Sequence, residues 1–157
     1  MIRIFVNCII IYAILVLLMR LIGKRQLGEL ELPEEPVFIS GNEQLLTQAF
    51  LNLCINACQA MGDEGTLTVT AAPESRSGRS YIRVEVRDTG PGISEEKIGS
   101  IYEPFYTTKG EGGTGLGLAI CQKIIETHKG TISAANGEER GAVFTVRIPT
   151  CGLPEEE

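Results

Sequence analysis

Residues Tyr81 to Ile93 read Tyr-Ile-Arg-Val-Glu-Val-Arg-Asp-Thr-Gly-Pro-Gly-Ile. From Tyr81 to Asp88 apolar and polar residues alternate, the period of a strand with one buried face. Asp88-Thr-Gly90-Pro-Gly92-Ile93 follows without a break, so a carboxylate is predicted at the end of a strand. A carboxylate so placed can accept a hydrogen bond from an exocyclic amine, and Gly90 and Gly92 let the backbone pass close beneath a planar base. The alternative is a turn closed by an Asx-type hydrogen bond.

Toward the N-terminus, Thr66–Ala72 alternates in the same way, and the polar stretch Pro73–Ser80 is predicted to turn between the two strands. Ser40 followed by Glu43 reads as a capping box that opens a helix. Leu45, Leu46, Ala49, Phe50, Leu53, Ala57 and Met61 then recur at helical spacing as far as Gly62. Gln44, Gln48, Asn52, Asn56 and Gln59 form a second stripe, polar but uncharged, where a solvated face normally carries Lys and Glu. Asn52 and Asn56 share one face. Their side-chain carbonyls suit Mg²⁺, a hard cation that takes few protein ligands when phosphates supply the rest. A helix face bonded to a neighbouring loop is the alternative. Val37–Ile39 reads as a short strand, and Pro33-Glu-Glu-Pro36 as a linker.

Toward the C-terminus, Thr89–Gly115 is dominated by glycine, proline and threonine, too long for a mere connection. Gly110–Gly117 ends at a predicted helix, Leu116–Thr127. The loop's backbone N–H groups and the helix's partial positive charge together suit phosphate. The pattern is neither a Walker loop nor a dinucleotide fingerprint. Thr131–Ala135 and Val143–Ile148 are predicted strands joined across Asn136-Gly137, a hairpin signal. The elements predict an α/β two-layer sandwich: a mixed, mainly antiparallel sheet with helices on one face.

The chain has 157 residues, 43% hydrophobic and 22% charged, an ordinary globular balance. Its net charge is −6; residues 1–32 carry Arg3, Arg20, Lys24 and Arg25 against Glu29 and Glu31, a net of +2, which leaves −8 for residues 33–157. An acidic domain has no electrostatic footprint for nucleic acid, so that partner is excluded. Ile4–Met19 is apolar except for Asn7. Extended to Ile22 it is long enough for a membrane helix (residues 4–22), with the basic flank placing the remainder of the chain in the cytoplasm. Cys8, Cys54, Cys58, Cys121 and Cys151 show no zinc-ribbon spacing and read as buried thiols. Three parts are expected: a hydrophobic helix with its basic flank over 1–32, a domain over 33–150, and an acidic tail over 151–157.

Two resemblances emerge. Arg20-Leu-Ile-Gly23-Lys24-Arg25-Gln26-Leu27-Gly28-Glu29-Leu30 resembles the end of the first transmembrane helix of YetF-like bacterial membrane proteins, which implies a junction of two unrelated pieces near Pro33. The order of motifs from residue 37 to 149 resembles the GHKL superfamily and, within it, the sensor histidine kinases. Asn52-Leu-Cys-Ile-Asn56-Ala57 is similar to the N box, Asp88–Ile93 to the G1 box, and Glu103-Pro-Phe105-Tyr-Thr-Thr-Lys109 to the F box. Gly113-Thr-Gly115-Leu-Gly117-Leu is similar to the G2 box, and Gly141-Ala-Val-Phe144 to the final glycine motif. Asn56-Ala-Cys-Gln-Ala-Met61 is similar to nitrogen-regulatory kinases.

That resemblance implies the Bergerat-type sandwich and an ATP site with Mg²⁺. Asp88 would bind the adenine amino group, with Gly90, Gly92 and Ile93 around the base. Asn56 would hold Mg²⁺, and Asn52 would support the phosphates or the ion. Gly113, Thr114, Gly115, Leu116 and Gly117 would cradle the phosphates. Residues 94–112 would form a lid, anchored by Phe105, with Lys109 as a phosphate contact. The ATP-hydrolysing relatives carry a glutamate where this chain has Asn52, and an amide cannot serve as a base at neutral pH. Transfer to a protein acceptor is therefore favoured over attack by water. His128, the sole histidine, falls where the family has a structural turn, so the acceptor histidine would come from another domain or chain, and a response regulator would be the next partner. The expected place is a cytoplasmic domain anchored to the bacterial inner membrane. Other functions compatible with these motifs are an anti-sigma-type serine kinase and a non-catalytic nucleotide-binding interaction module.

Overall fold

The computed structural model describes residues 3–4, 27–35, 37–107 and 114–151. Its sheet is built where alternation is strongest. β4 (Leu67–Arg76) and β5 (Arg79–Arg87) form a hairpin, and β5 pairs on its other edge with β7 (Ala142–Cys151), with Val84 opposite Val146. Leu67, Val69, Ala71, Ile82, Val84, Val86, Ala142, Phe144, Val146 and Ile148 all point to one buried face. Burying each large aliphatic side chain contributes about 1.5–3 kcal/mol. The far edge of β7 takes β6 (Thr131–Asn136) over Ala142–Arg147 and the short β3 (Phe38–Ser40) at Thr150 and Cys151. β1 (Arg3–Ile4) closes the edge beyond β3, and β2 (Leu27–Glu31) pairs parallel with β4. All the other pairings are antiparallel, so the mixed, mainly antiparallel sheet of the sequence reading is present.

Two helices cover the apolar face. α1 (Glu43–Met61) buries Leu46, Ala49, Phe50, Leu53, Cys54, Ala57 and Cys58. α3 (Gly117–Thr127) buries Cys121, Ile124 and Ile125 against it. Burial pushes the thiols of Cys54 and Cys121 up to about 12, so both are protonated core residues at neutral pH. A short helix, α2 (Glu95–Ile98), interrupts the long segment after Asp88.

His128 ties the two long helices together. It caps α3, its Nδ1 lies 2.7 Å from the Ile124 carbonyl, and its Nε2 accepts the Asn42 N–H at 2.9 Å. These bonds require the neutral tautomer with the proton on Nδ1. The structural role expected for this histidine is the one found.

Several expectations change. Ser40 does not cap α1, because it belongs to β3; Asn42 does, its Oδ1 accepting the Leu45 N–H at 3.0 Å. Pro73–Ser80 is not a turn: strand pairing runs through it, leaving only Ser77 and Gly78 at the bend. Proline is tolerated there because the described pairing of β2 with β4 ends at Thr70, so Pro73 lies on an edge. The sheet also begins before the Pro33 boundary, since Leu27–Glu31 is one of its strands. The apolar run expected to be a membrane helix from residue 4 opens as a strand, Ile4 pairing with Ile39. The rest of that run, and most of the YetF-like segment, lie outside the described residues, as does the tail from residue 152. No helix among the described residues is long and apolar enough to cross a membrane.

Candidate functional site

Asp88 follows directly on β5 and is 2% exposed. Its N–H donates to the Ala142 carbonyl at 3.0 Å, which prolongs the β5–β7 ladder by one step. Its Oδ1 accepts two backbone N–H groups, Gly90 at 2.8 Å and Ala142 at 3.2 Å. Both bonds fall on the same oxygen, and Oδ2 accepts none from the described residues. Thus the strand-end carboxylate also closes an Asx-type turn, and it does so through Oδ1 alone. Glycines make the close packing possible. Gly141 has φ +83°, and a Cβ on it would collide with the Asp88 carbonyl. A Cβ on Gly90 would lie 3.2 Å from the Ala60 carbonyl at the end of α1.

Asp88 lies in the wall of a cavity of about 530 Å³, a size suited to a small molecule. Asn52, Asn56 and Gln59 of the uncharged stripe line it from α1, and Thr114, Gly115 and Gly117 from the start of α3. Ile55, Ile93, Ile101, Leu118 and Phe144 supply apolar walls. Lys97 is the lone cation and Asp88 the lone carboxylate among these lining residues. Burial, and after it the Asp88 carboxylate, raise the pKa of the neighbouring Cys58 thiol. Another cleft, about 620 Å³ and beside Glu35, Phe38, Glu74 and Tyr81, holds none of the predicted site residues.

The two asparagines differ in what they do. Asn52 Nδ2 donates to the Gly117 carbonyl at 3.4 Å, so the α1 face is bonded to the start of α3. Asn56 also approaches this point: a Cβ on Gly117 would lie 3.9 Å from its Nδ2. No side chain among the described residues caps α3 at its N-terminus. Gly117 and Leu118 of its first turn line the cavity, so the helix's positive end lies at the cavity wall, an arrangement that favours an anion.

Not every predicted residue reaches the wall. Gly90 lies behind Asp88, and Leu116 is the residue preceding α3; neither lines the cavity. Phe105 does not line the cavity either: the residue is 75% exposed, while its backbone, at φ +68°, is held by an N–H bond to the Gly115 carbonyl at 2.9 Å. Gly115 is required for that approach, because a Cβ on it would meet the Phe105 carbonyl carbon. Lys109 and Gly113 lie outside the described residues.

Sequence reasoning missed Lys97, Tyr106 and Asn136. Both of the first two fall in the segment expected to form the lid, and Tyr106 within the F-box stretch, but no local period singles out either side chain as facing the cavity. Asn136 is half of a turn signal in the sequence; in the fold its amide also reaches back 43 residues to Ile93.

Comparisons with known proteins agree with this arrangement. The profile of the histidine kinase-, DNA gyrase B-, and HSP90-like ATPase family matches residues 41–151. Sensor histidine kinase ZraS of Escherichia coli strain K12 is 44% identical over 111 residues, which are 71% of this chain and 23% of that protein. Sporulation kinase A of Bacillus subtilis strain 168 is 39% identical over 116 residues, 74% of this chain and 18% of that one. The chain thus spans about a quarter or less of the length of these relatives. A structure of the catalytic domain of histidine kinase ThkA superposes with a TM-score of 0.78 at 34% identity, covering 94% of each chain. A structure of ThkA in complex with response regulator protein TrrA gives 0.74 at 34% identity, covering 90% of this chain and 40% of that one. The chain therefore belongs to the histidine kinase-, DNA gyrase B-, and HSP90-like ATPase family, as an ATP-binding catalytic domain of the sensor histidine kinase type.

Proposed function

We propose that the cavity holds ATP with Mg²⁺ and that the domain transfers the γ-phosphate to a histidine supplied by another domain or another chain. One observation carries the site assignment: the buried Asp88, the Asn52–Asn56 pair and the start of α3 all line one cavity. In this reading Asp88 Oδ2 accepts the adenine amino group while Oδ1 stays committed to the backbone. Gly92 and Ile93 flank the base, and the apolar walls exclude water from it. The phosphates lie at the start of α3, against Thr114, Gly115 and Gly117, with Gly113 and Lys109 as further phosphate contacts by the motif resemblance.

Asn56 suits Mg²⁺ because it offers a neutral oxygen at the phosphate end of the cavity. No group of three or more His, Cys, Asp or Glu side chains among the described residues could hold a metal by itself, so phosphate and water would complete the shell. When bound, Mg²⁺ supplies charge neutralisation to the phosphates. Asn52 positions, since its amide is bonded to Gly117 and cannot take a proton from water. Catalysis then rests on placement and charge, as in other phosphoryl transfers. His128 is unsuited as the acceptor, because both ring nitrogens are engaged in a buried bridge between the helices.

The ThkA complex with a response regulator supports a response regulator as the receiving partner. The apolar run ending at Ile22, followed by Lys24 and Arg25, supports an anchor to the inner membrane with the domain on the cytoplasmic side. The pairing of Ile4 with Ile39 counts against a helix that begins at residue 4. Titration calorimetry on the full chain tests the nucleotide site: Mg·ATP binds, and Asn56→Ala removes the magnesium dependence of that binding. Failure of the wild-type chain to bind Mg·ATP would overturn the reading, and a variant that keeps its magnesium dependence would overturn the ligand assignment.

A further inference from the structure

Ile93 is where the strand-end loop passes into the lid, two residues before α2 begins. Both of its backbone groups are taken by a single side chain: its N–H donates to Asn136 Oδ1 at 2.7 Å, and its carbonyl accepts from Asn136 Nδ2 at 2.7 Å. A primary amide carries an acceptor and a donor side by side, so it can pair with one residue's peptide groups as a neighbouring strand would. Gly92 makes room for it. Its φ is +81°, and a Cβ there would lie 2.8 Å from Asn136 Oδ1. Asn136 is itself fixed as the last residue of β6, opposite Ala142 of β7. Nearby, Arg140 Nε reaches the Gly90 carbonyl at 3.4 Å, and Ala142 holds Asp88. The β6–β7 hairpin therefore grips the strand-end loop at its beginning, middle and end.

We propose that Asn136 is a positioning residue for the nucleotide: it fixes Gly92 and Ile93 in the cavity wall and sets the point at which the lid's freedom begins. The inference rests on the nucleotide reading of the cavity. Without the amide, the pivot moves back toward Gly92, and the wall beside the base is no longer preformed. The bound state must then order it, and affinity falls.

Mg·ATP titration of the full chain, at a temperature where each variant is folded, tests this together with hydrogen exchange of backbone amides. Asn136→Ala is expected to raise the dissociation constant roughly tenfold, the effect of losing two ordinary hydrogen bonds from a preformed site. Asn136→Asp keeps the acceptor for the Ile93 N–H but loses the donor, and an intermediate value is expected. In the wild type without nucleotide, the Ile93 amide should exchange more slowly than those of Glu95–Ile98. Unchanged affinity in a folded Asn136→Ala protein would overturn the proposal. So would an Ile93 amide as unprotected as those of α2, a measurement that needs no variant. Wild-type binding is the control: its absence would defeat the nucleotide reading, whereas its presence with unchanged affinity in Asn136→Ala would defeat only the role of Asn136.

Discussion

The two ends of the cavity are built differently. On the Asp88 side, six residues of irregular chain are held by hydrogen bonds of 2.7–3.2 Å from Asn136, Ala142 and Gly90. On the side running from Ser94 to Gly117, the bonds that reach beyond a single turn include Phe105 N–H to the Gly115 carbonyl at 2.9 Å and the longer Asn52 Nδ2 to the Gly117 carbonyl at 3.4 Å. The Tyr102 and Tyr106 hydroxyls there are buried with no hydrogen-bond partner among the described residues. Each unpaired hydroxyl costs about 1–3 kcal/mol, so this side has arrangements to gain from that the other lacks. The contrast suits a site that recognises one invariant group, a planar base, and must also admit phosphates that arrive and leave. In the proposed nucleotide reading, the wall held by more bonds would select the base and the opposite wall would adapt to the phosphates.

The sharpest way to break this contrast is at Gly141. An alanine there would be strained at φ +83° and would drive its Cβ into the Asp88 carbonyl. Gly141→Ala is expected to lower stability by roughly 3 kcal/mol or more, read as a shift in the urea midpoint, with loss of Mg·ATP binding. A variant as stable as the wild type would mean that the Asp88 side can yield, and the two ends would not differ as described.

A smaller change sharpens the comparison by leaving the frame intact. Asp88→Asn keeps an oxygen for the Gly90 and Ala142 N–H groups but replaces the acceptor proposed to face adenine with a donor. Nucleotide binding should weaken by roughly 1.5–3 kcal/mol, with little change in the melting temperature. Equal affinity for Mg·ATP would place the base elsewhere. A large fall in stability would instead mean that the carboxylate serves the fold more than the ligand.

How much of this could be read beforehand depends on the range of the interaction. Alternation in Thr66–Ala72 and Tyr81–Asp88 and the stripes of α1 are local periods set by one buried face, and they give the sheet, the helix and the Asn52–Asn56 face directly. The glycine motifs could be read because they are order in sequence, not contacts. What escaped is tertiary. Ser40 looked like a cap until β3 claimed it, and Pro73 looked like a turn because nothing local says that its edge of β4 lies beyond β2. Asn136 announced a hairpin, which forms, yet its amide serves Ile93, a partner 43 residues away that no local pattern could indicate.

Phe105 gives the smallest expected effect and tests the adaptable side. The F-box resemblance implies that Phe105 anchors the lid; the residue is 75% exposed, and its backbone is bonded to the Gly115 carbonyl. Phe105→Ala removes the ring and leaves that bond, so stability should change by no more than about 0.5 kcal/mol. Mg·ATP affinity should stay within about twofold, because Phe105 is not among the residues that line the cavity. Calorimetry and a thermal melt on the same preparation decide it. If affinity falls tenfold while the melting temperature holds, the ring must fold inward over the bound nucleotide. Phe105 would then pack differently in the two states, and the lid would close by burying an aromatic side chain rather than by rearranging backbone alone.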